Sequence, residues 1–279
     1  MKKILLTGGE GQLAKKVSFK LKDDFNVLSL SKKNLNVTNR KNIHSVIKNF
    51  RPDIIINAAA YTNVDQSEIN SELCYDVNAH SINNFSDIFS GSFLQISSDY
   101  IFDGGNGPYD EYAKPNPLGV YGKSKLLAEE IVANKFNKHT IIRANILFGG
   151  GGKADFLDWV ISSLKSEKTI YVVDDQFNNP ISISDMSKII QILLLKQYSG
   201  IFHAGSDHIC SRFDFAKMIA KTWNLDANLI KPISTNKLKE KLSNYIAERP
   251  LKSGLLSTRK EIPNFSLIDS LKKIRNNEL

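Results

Sequence analysis

The sequence predicts an α/β protein with a Rossmann-like, doubly wound parallel sheet and a smaller mixed α/β C-terminal lobe. Short apolar runs alternate with amphipathic stretches from the third residue onward. The first apolar run breaks at a glycine turn that leads into a helical pattern. After about Arg143 this rhythm loosens. Strand–helix alternation of this kind specifies a parallel sheet covered by helices on both faces, and right-handed crossovers leave little topological freedom.

The strands are expected at 3–7, 26–30, 53–57, 93–97 and 140–143, each four or five residues of mostly aliphatic or β-branched character. They do not alternate apolar with polar, which fits strands buried on both faces. Helical spacing is expected at 12–22, 40–49, 71–90 and 121–134. Beyond Arg143 come a glycine run at 149–152, a helix near 154–165 and a polar loop at 174–180. A helix at 184–195, a strand at 201–203 and a helix opened by Ser211 follow, with Asp214 three residues on resembling a capping box. A last helix is expected near 267–276. Residues 1–146 therefore read as one domain, to which elements near 182–203 return, and 147–279 mainly as the second lobe.

The segment from Ile4 to Ala14 is a strand, a glycine turn and a helix start. Gly8 and Gly11 let the backbone turn tightly and approach a pyrophosphate, and the helix N-terminus presents free N–H groups to it. Gln12 and Leu13, which open that helix, join the two glycines as expected cofactor contacts. The spacing differs from the usual dehydrogenase fingerprint, and a plain strand-to-helix turn is the alternative. About twenty residues on, where an acidic residue would bind the ribose hydroxyls of NAD, stand Ser31, Lys32 and Lys33. A lysine and a hydroxyl suit a phosphorylated ribose, so NADPH is expected over NADH, with solvent-facing lysines as the bland alternative.

Ser98 lies where the fourth strand stops, at the sheet end that carries the chemistry in open α/β folds. Tyr121 and Lys125 stand four apart at a helix start and project from one face. A phenol with a pKa near 10 is a poor acid–base group at neutral pH. A lysine ammonium beside it, with the oxidised nicotinamide, is expected to lower that pKa, while Ser98 orients the carbonyl oxygen. Together these three residues describe carbonyl reduction.

With these motifs the chain resembles the extended short-chain dehydrogenase/reductases, and within them it is similar to the dTDP-4-dehydrorhamnose reductases. The run from Arg51 to Asp65, the loop from Ser97 to Gly104, the stretch from Asp174 to Pro180, and Arg249-Pro250 with Ser253 and Leu255 carry the likeness beyond the glycine turn. The resemblance implies reduction of a 4-keto group on a dTDP-linked 6-deoxy sugar, yielding dTDP-L-rhamnose or a related sugar. It implies Ala58, Ala59 and Ala60 along the cofactor groove, Asp99 helping to hold the sugar, and Arg249 neutralising the substrate diphosphate. It makes residues 1–146 NADP-binding and the second lobe substrate-binding, and leaves a homodimer open. Ile146, where the family often has an aromatic residue, and Asp155, where it often has Asn, depart from the pattern near the expected sugar pocket. The metal-binding carboxylates of some family members have no counterpart, so no metal is expected.

Composition narrows the alternatives. The net charge of +8 raises nucleic acid and acidic membrane as partners, but the lysines are scattered and no basic run is interleaved with aromatics. Neither partner is expected. Cys74 and Cys210 cannot build a disulfide framework or a zinc site by themselves. The apolar run after Lys2 and Lys3 stops at Thr7, too short for a targeting segment, so a cytoplasmic location is expected. The five histidines match no ligand spacing. Two rival readings share the fold: an epimerase or dehydratase that recycles its hydride, and a non-catalytic nucleotide-binding subunit. The latter should have lost Tyr121 or Lys125.

Overall fold

The computed structural model describes residues 1–151, 155–243 and 247–278. Gly152, at the end of the expected glycine run, and Ala154, at the expected start of the next helix, lie outside the described residues. Six parallel strands form the main sheet. They are β1 (Lys3–Thr7), β2 (Asn26–Leu30), β3 (Ile54–Asn57), β4 (Ser92–Ser98), β5 (His139–Ala144) and the later strand Gly200–Ala204. Their spatial order is Gly200–Ala204, β5, β4, β3, β1, β2. The chain leaves β1 toward β2 and then returns to the other side of β1 with β3. This reversal opens a crevice at the carboxyl ends of β1 and β3, the place where such folds bind ligands.

The period-2 geometry of each strand divides its side chains between two cores. Leu5, Ile55, Phe93 and Ile141 face one side, packed by α2 (Arg40–Phe50) and the helix Val120–Lys135. Ile4, Leu6, Ile56, Leu94 and Ile142 face the other, packed by α1 (Gln12–Leu21) and the helix Ile183–Lys196. Both faces are covered, which is why the strands read as unbroken apolar runs. Full burial of each such side chain contributes about 1.5–3 kcal/mol. A third core, built around Phe148, Leu157, Phe215, Ile219 and Leu271, holds the later elements together. There Ile170–Val173 pairs in parallel with Ile230–Ile233.

The strands and most helices fall where the sequence places them. Asp53 lies just outside β3, and its carboxylate accepts from the backbone N of Lys3 at 2.7 Å. The expected helix 71–90 is instead three consecutive segments, Ser71–Tyr75, a π-helical turn Asp76–His80, and Ser81–Ser86. A helix Val64–Ile69 also precedes it, inside the loop that follows β3. The polar loop 174–180 contains a short strand, Phe177–Asn178, paired antiparallel with Cys210–Ser211. Ser211 caps the helix Arg212–Trp223 as expected, accepting from the backbone N of Asp214 at 3.0 Å.

Candidate active site

The glycine turn is held by strand-end polar groups. The Thr7 hydroxyl donates to Asn57 Oδ1 at 2.7 Å and accepts from the backbone N of Ala59 at 3.1 Å. Asn57 in turn donates to Gln95 Oε1 at 2.8 Å, so β1, β3 and β4 are tied together at their carboxyl ends. Gly8 has a φ of +70°, and a Cβ there would lie 2.9 Å from the backbone of Ala58 and Ala59. The turn closes with the N–H of Gly11 donating to Gly8 O at 2.8 Å. No side chain caps α1, so its first N–H groups remain the polar edge of the cleft. Gln12 Nε2 donates to Gly151 O, linking this turn to the glycine run after β5.

A cleft of about 610 Å³ runs along these elements. It brings together Gly8, Gly11, Gln12 and Leu13 from the first turn, Ala58, Ala59 and Ala60 from the loop after β3, and Ser98, Tyr121 and Lys125. An adjoining cleft of about 330 Å³ continues past Gly8 and the three alanines to Lys32, Leu35, Asn36 and Val37. Ser31 is not on the wall of either cleft, and its carbonyl accepts from the N–H groups of Asn34 and Leu35.

Tyr121 and Lys125 owe their positions to close packing at the start of their helix. Gly119 offers no side-chain cap, and the Glu68 carboxylate takes that role, accepting from the backbone N of Val120 at 2.8 Å. Gly122 lets the helix touch the loop after β4: a Cβ there would fall 2.1 Å from Tyr100 O. The Tyr100 ring meets the Tyr121 ring edge-on, with centroids 5.5 Å apart. Asn78, presented by the π-helical turn, donates to Ser124 Oγ at 2.9 Å and accepts from the backbone N of Tyr61 at 2.7 Å. The alanine loop is thereby fixed to the same helix.

The electrostatics differ from the sequence expectation. Tyr121 hydrogen-bonds with Ser98, which favours its ionised form, but burial outweighs this and pushes the phenol above its ordinary range. Asp99 and Tyr100 nearby push it the same way. Lys125 Nζ donates to Ile96 O at 2.6 Å, and burial pushes its pKa down to about 8 against the pull of Glu129. In the protein alone, desolvation dominates the shift of both groups.

Asp99 lies behind Ser98 rather than on the wall of either nucleotide-side cleft. The Ser98 hydroxyl donates to Asp99 Oδ1 at 3.1 Å, and Ser253 Oγ donates to Oδ2 at 2.6 Å. Burial pushes the Asp99 carboxyl up. A further cleft of about 500 Å³ opens on the side of the later lobe and is lined by Tyr100, Phe156, Trp159, Tyr171, Arg212 and Arg249, among others. Arg249 is there, but its guanidinium grips Asp65 through contacts of 2.6 and 3.1 Å. Asp155 caps the helix Phe156–Lys165, accepting from the backbone N of Leu157 at 3.0 Å and of Gly150 at 2.9 Å. The Ile146 carbonyl accepts from the backbone N of Ile181 at 3.0 Å.

Several residues of the site escaped the sequence reading. Thr7, Asn57 and Gln95 left the faintest signal, a polar residue at the end of or within an apolar strand. Glu68, Asn78 and Arg212 left none, since their partners are distant in the chain.

A family model described as the RmlD substrate binding domain matches residues 1–267. The chain belongs to this family. The matched span includes the glycine turn, the Ser98 loop, Tyr121, Lys125 and Arg249. Among curated relatives of this RmlD-family chain, the Bacillus subtilis spore coat polysaccharide biosynthesis protein SpsK is 32% identical over 82% of each chain. A dTDP-4-dehydrorhamnose reductase of Aggregatibacter actinomycetemcomitans is 33% identical over 77% of each. A solved dTDP-4-dehydrorhamnose reductase from Bacillus anthracis, in complex with NADP, superposes with a TM-score of 0.93 at 31% identity, covering 99% of this chain and 100% of that one. No helix among the described residues is long and apolar enough to cross a membrane, and no cluster of candidate metal ligands occurs among them.

Proposed function

We propose that the chain is an NADPH-dependent reductase of a 4-keto group on a dTDP-linked 6-deoxy sugar, producing dTDP-L-rhamnose or a related sugar for polysaccharide synthesis. The observation that carries this reading is the convergence of Ser98, Tyr121 and Lys125 on the cleft that begins at the glycine turn. Residues 1–146 with 182–203 form the NADP-binding part in this reading, and the remaining residues the substrate lobe. A cytoplasmic location follows from it.

The cleft fits a dinucleotide. The turn at Gly8 and Gly11 and the uncapped start of α1 present backbone N–H groups suited to a pyrophosphate. The three alanines leave the groove wall low. Lys32 stands at the far end, suited to a ribose phosphate. Bound NADPH supplies the hydride that reduces the carbonyl carbon. The protein's own residues deal with the oxygen. Ser98 hydrogen-bonds the carbonyl oxygen, and Tyr121 gives it a proton as negative charge develops there. A phenol whose pKa is raised keeps its proton at neutral pH until a strongly basic alkoxide forms. The Lys125 ammonium then stabilises the phenolate that is left, and its reach along the groove suits it to hold the nicotinamide ribose.

Oxidation of NADPH in the presence of a panel of nucleotide 4-keto-sugars tests the assignment. Turnover with at least one of them is expected, and none with any of them contradicts it. Two narrower results follow from the site. Lys32→Glu should lower kcat/KM for NADPH by about tenfold or more relative to NADH, because a charged hydrogen bond to phosphate is replaced by repulsion. An unchanged preference would remove the role of Lys32. The Lys125 ammonium, with a pKa near 8 in the free protein, is protonated below that pH and lost above it. The Kd for NADPH should therefore rise as pH increases through about 8, and Lys125→Met should abolish that rise. Titration by nucleotide fluorescence at several pH values checks both.

A further inference from the structure

Arg212 is the first residue of the helix Arg212–Trp223 and lines the cleft of about 500 Å³ beside Ser98's loop. Its backbone is fixed on both sides: its N–H donates to Gln176 O at 3.1 Å, and the preceding strand Cys210–Ser211 pairs with Phe177–Asn178. The guanidinium lies over the Phe156 ring, 5.8 Å from the centroid, leaving its in-plane N–H groups as the polar edge. Its Nε is buried and has no hydrogen-bond partner. Among the described residues, no carboxylate forms an ion pair with it. Arg212 thus stands on a cleft wall with a buried Nε that has no acceptor in the protein, which leaves donor capacity for a ligand.

Arg249 in the same cleft is in the opposite condition. Both arms of its fork meet the Asp65 carboxylate, and its Nη1 also donates to Ala247 O at 3.1 Å. Asp65 is further held by the backbone N of Ala247 at 3.0 Å. This pair contributes little net charge, so the positive character of the cleft comes from Arg212. Its planar fork matches the geometry of phosphate oxygens, and it stands at a helix N-terminus that favours negative charge.

We propose that Arg212, rather than Arg249, is the residue that binds the diphosphate of the nucleotide sugar. The inference rests on the reductase reading for the nature of the ligand. Arg249 is then a positioning residue that ties the segment after residue 246 to the helix Val64–Ile69 through Asp65.

The test is binding of dTDP to the NADPH-loaded protein, measured by calorimetry for wild type, Arg212→Met, Arg212→Lys and Arg249→Met. Loss of a charged, forked contact should raise the dTDP Kd by about 10–100-fold in Arg212→Met, with a smaller rise in Arg212→Lys. Arg249→Met should change it less than Arg212→Met does. The Kd for NADPH, measured on each variant, should stay at the wild-type value and reports that the fold is intact. Equal dTDP affinity in wild type and Arg212→Met overturns the proposal, as does a larger loss in Arg249→Met or an absence of dTDP binding by the wild type. Turnover of a nucleotide 4-keto-sugar is measured separately. Arg212-dependent dTDP binding without turnover upholds the role of Arg212 and removes the reductase. Turnover with dTDP binding that ignores Arg212 does the reverse.

Discussion

Tyr121→Phe should lower kcat for the keto-sugar by about 10²–10⁴-fold, the range lost when a positioned general acid is removed. The substitution deletes only the hydroxyl, so the ring can keep its edge contact with Tyr100 and its place at the helix start. KM for NADPH should change little, because the glycine turn, the alanines and Lys125 remain. The loss should therefore fall on kcat and kcat/KM alike, the pattern of an interaction made in the transition state. Steady-state kinetics decides the matter. Activity within about threefold of wild type would assign the proton to another donor, since it would correspond to less than about 1 kcal/mol of transition-state stabilisation. Ser98 would then be the residue to examine, because its hydroxyl already points to Asp99 and hydrogen-bonds with Tyr121.

The largest effect on stability should come from Glu129, one helical turn beyond Lys125. Its carboxylate and the Arg143 guanidinium are almost fully buried, with side chains only 5% and 3% exposed. Arg143 Nη2 donates to it at 2.8 Å and Nε at 3.1 and 3.2 Å, and Ser97 Oγ donates to it from β4. On the far side, Arg143 Nη1 lies 3.3 Å from His203 Nε2. Burial pushes His203 down to about 4, so the imidazole is neutral at physiological pH. Its Nδ1 faces the carbonyls of Tyr109 and Leu256, which places the ring proton there and leaves Nε2 to accept from Arg143. The group thus joins β4, the Tyr121 helix, β5 and the strand Gly200–Ala204 beneath Ser98 and Lys125.

Glu129→Ala strands the Arg143 charge in this setting and should reduce unfolding free energy by about 3–5 kcal/mol. That is a large share of the roughly 5–15 kcal/mol available to a domain. The double variant Glu129→Met with Arg143→Met removes both charges and should lose less than the sum of the two single substitutions. Denaturant unfolding of wild type, Glu129→Ala, Glu129→Met, Arg143→Met and the double Met variant checks this. A Glu129→Ala protein within about 0.5 kcal/mol of wild type would mean that water reaches Arg143 and that the pair adds nothing.

The parts of the fold that were legible in the sequence are those set by local pattern. The apolar runs at 3–7 and 26–30 have the same bounds as β1 and β2, because both are stopped by polar residues or glycine where pairing ends. The helical stretch 71–90 was legible as helix but not as three segments. A π-helical turn inserts a residue into the 3.6-residue period without any marker in composition. The glycine turn and the Tyr121–Lys125 pair were legible for the same reason as the strands, since their meaning lies within a few residues.

Features that depend on partners far along the chain were not legible. Arg249 meets Asp65 across 184 positions, a pairing that no local pattern marks. Arg212 carries no motif, and only the burial of its Nε and the company of Phe156 single it out. The lowering expected for Tyr121 belongs to the state with oxidised nicotinamide bound, whereas in the protein alone burial pushes the phenol up. The structure spends the reach of Lys125 on Ile96 O. The resemblance gives Asp99 a part in holding the sugar, and no local pattern marks the two serine hydroxyls that hold it behind Ser98.

The stoichiometry of a single turnover separates net reduction from hydride recycling. The protein is mixed with limiting NADPH deuterated at the transferable position and an excess of dTDP-linked 4-keto-6-deoxy sugar, and the sugar is analysed by mass spectrometry. One reduced sugar is expected for each NADPH oxidised, with the deuterium on the former carbonyl carbon and a solvent-derived proton on its oxygen. A sugar that is converted without net oxidation of NADPH would contradict the reductase reading and make the chain an epimerase or dehydratase.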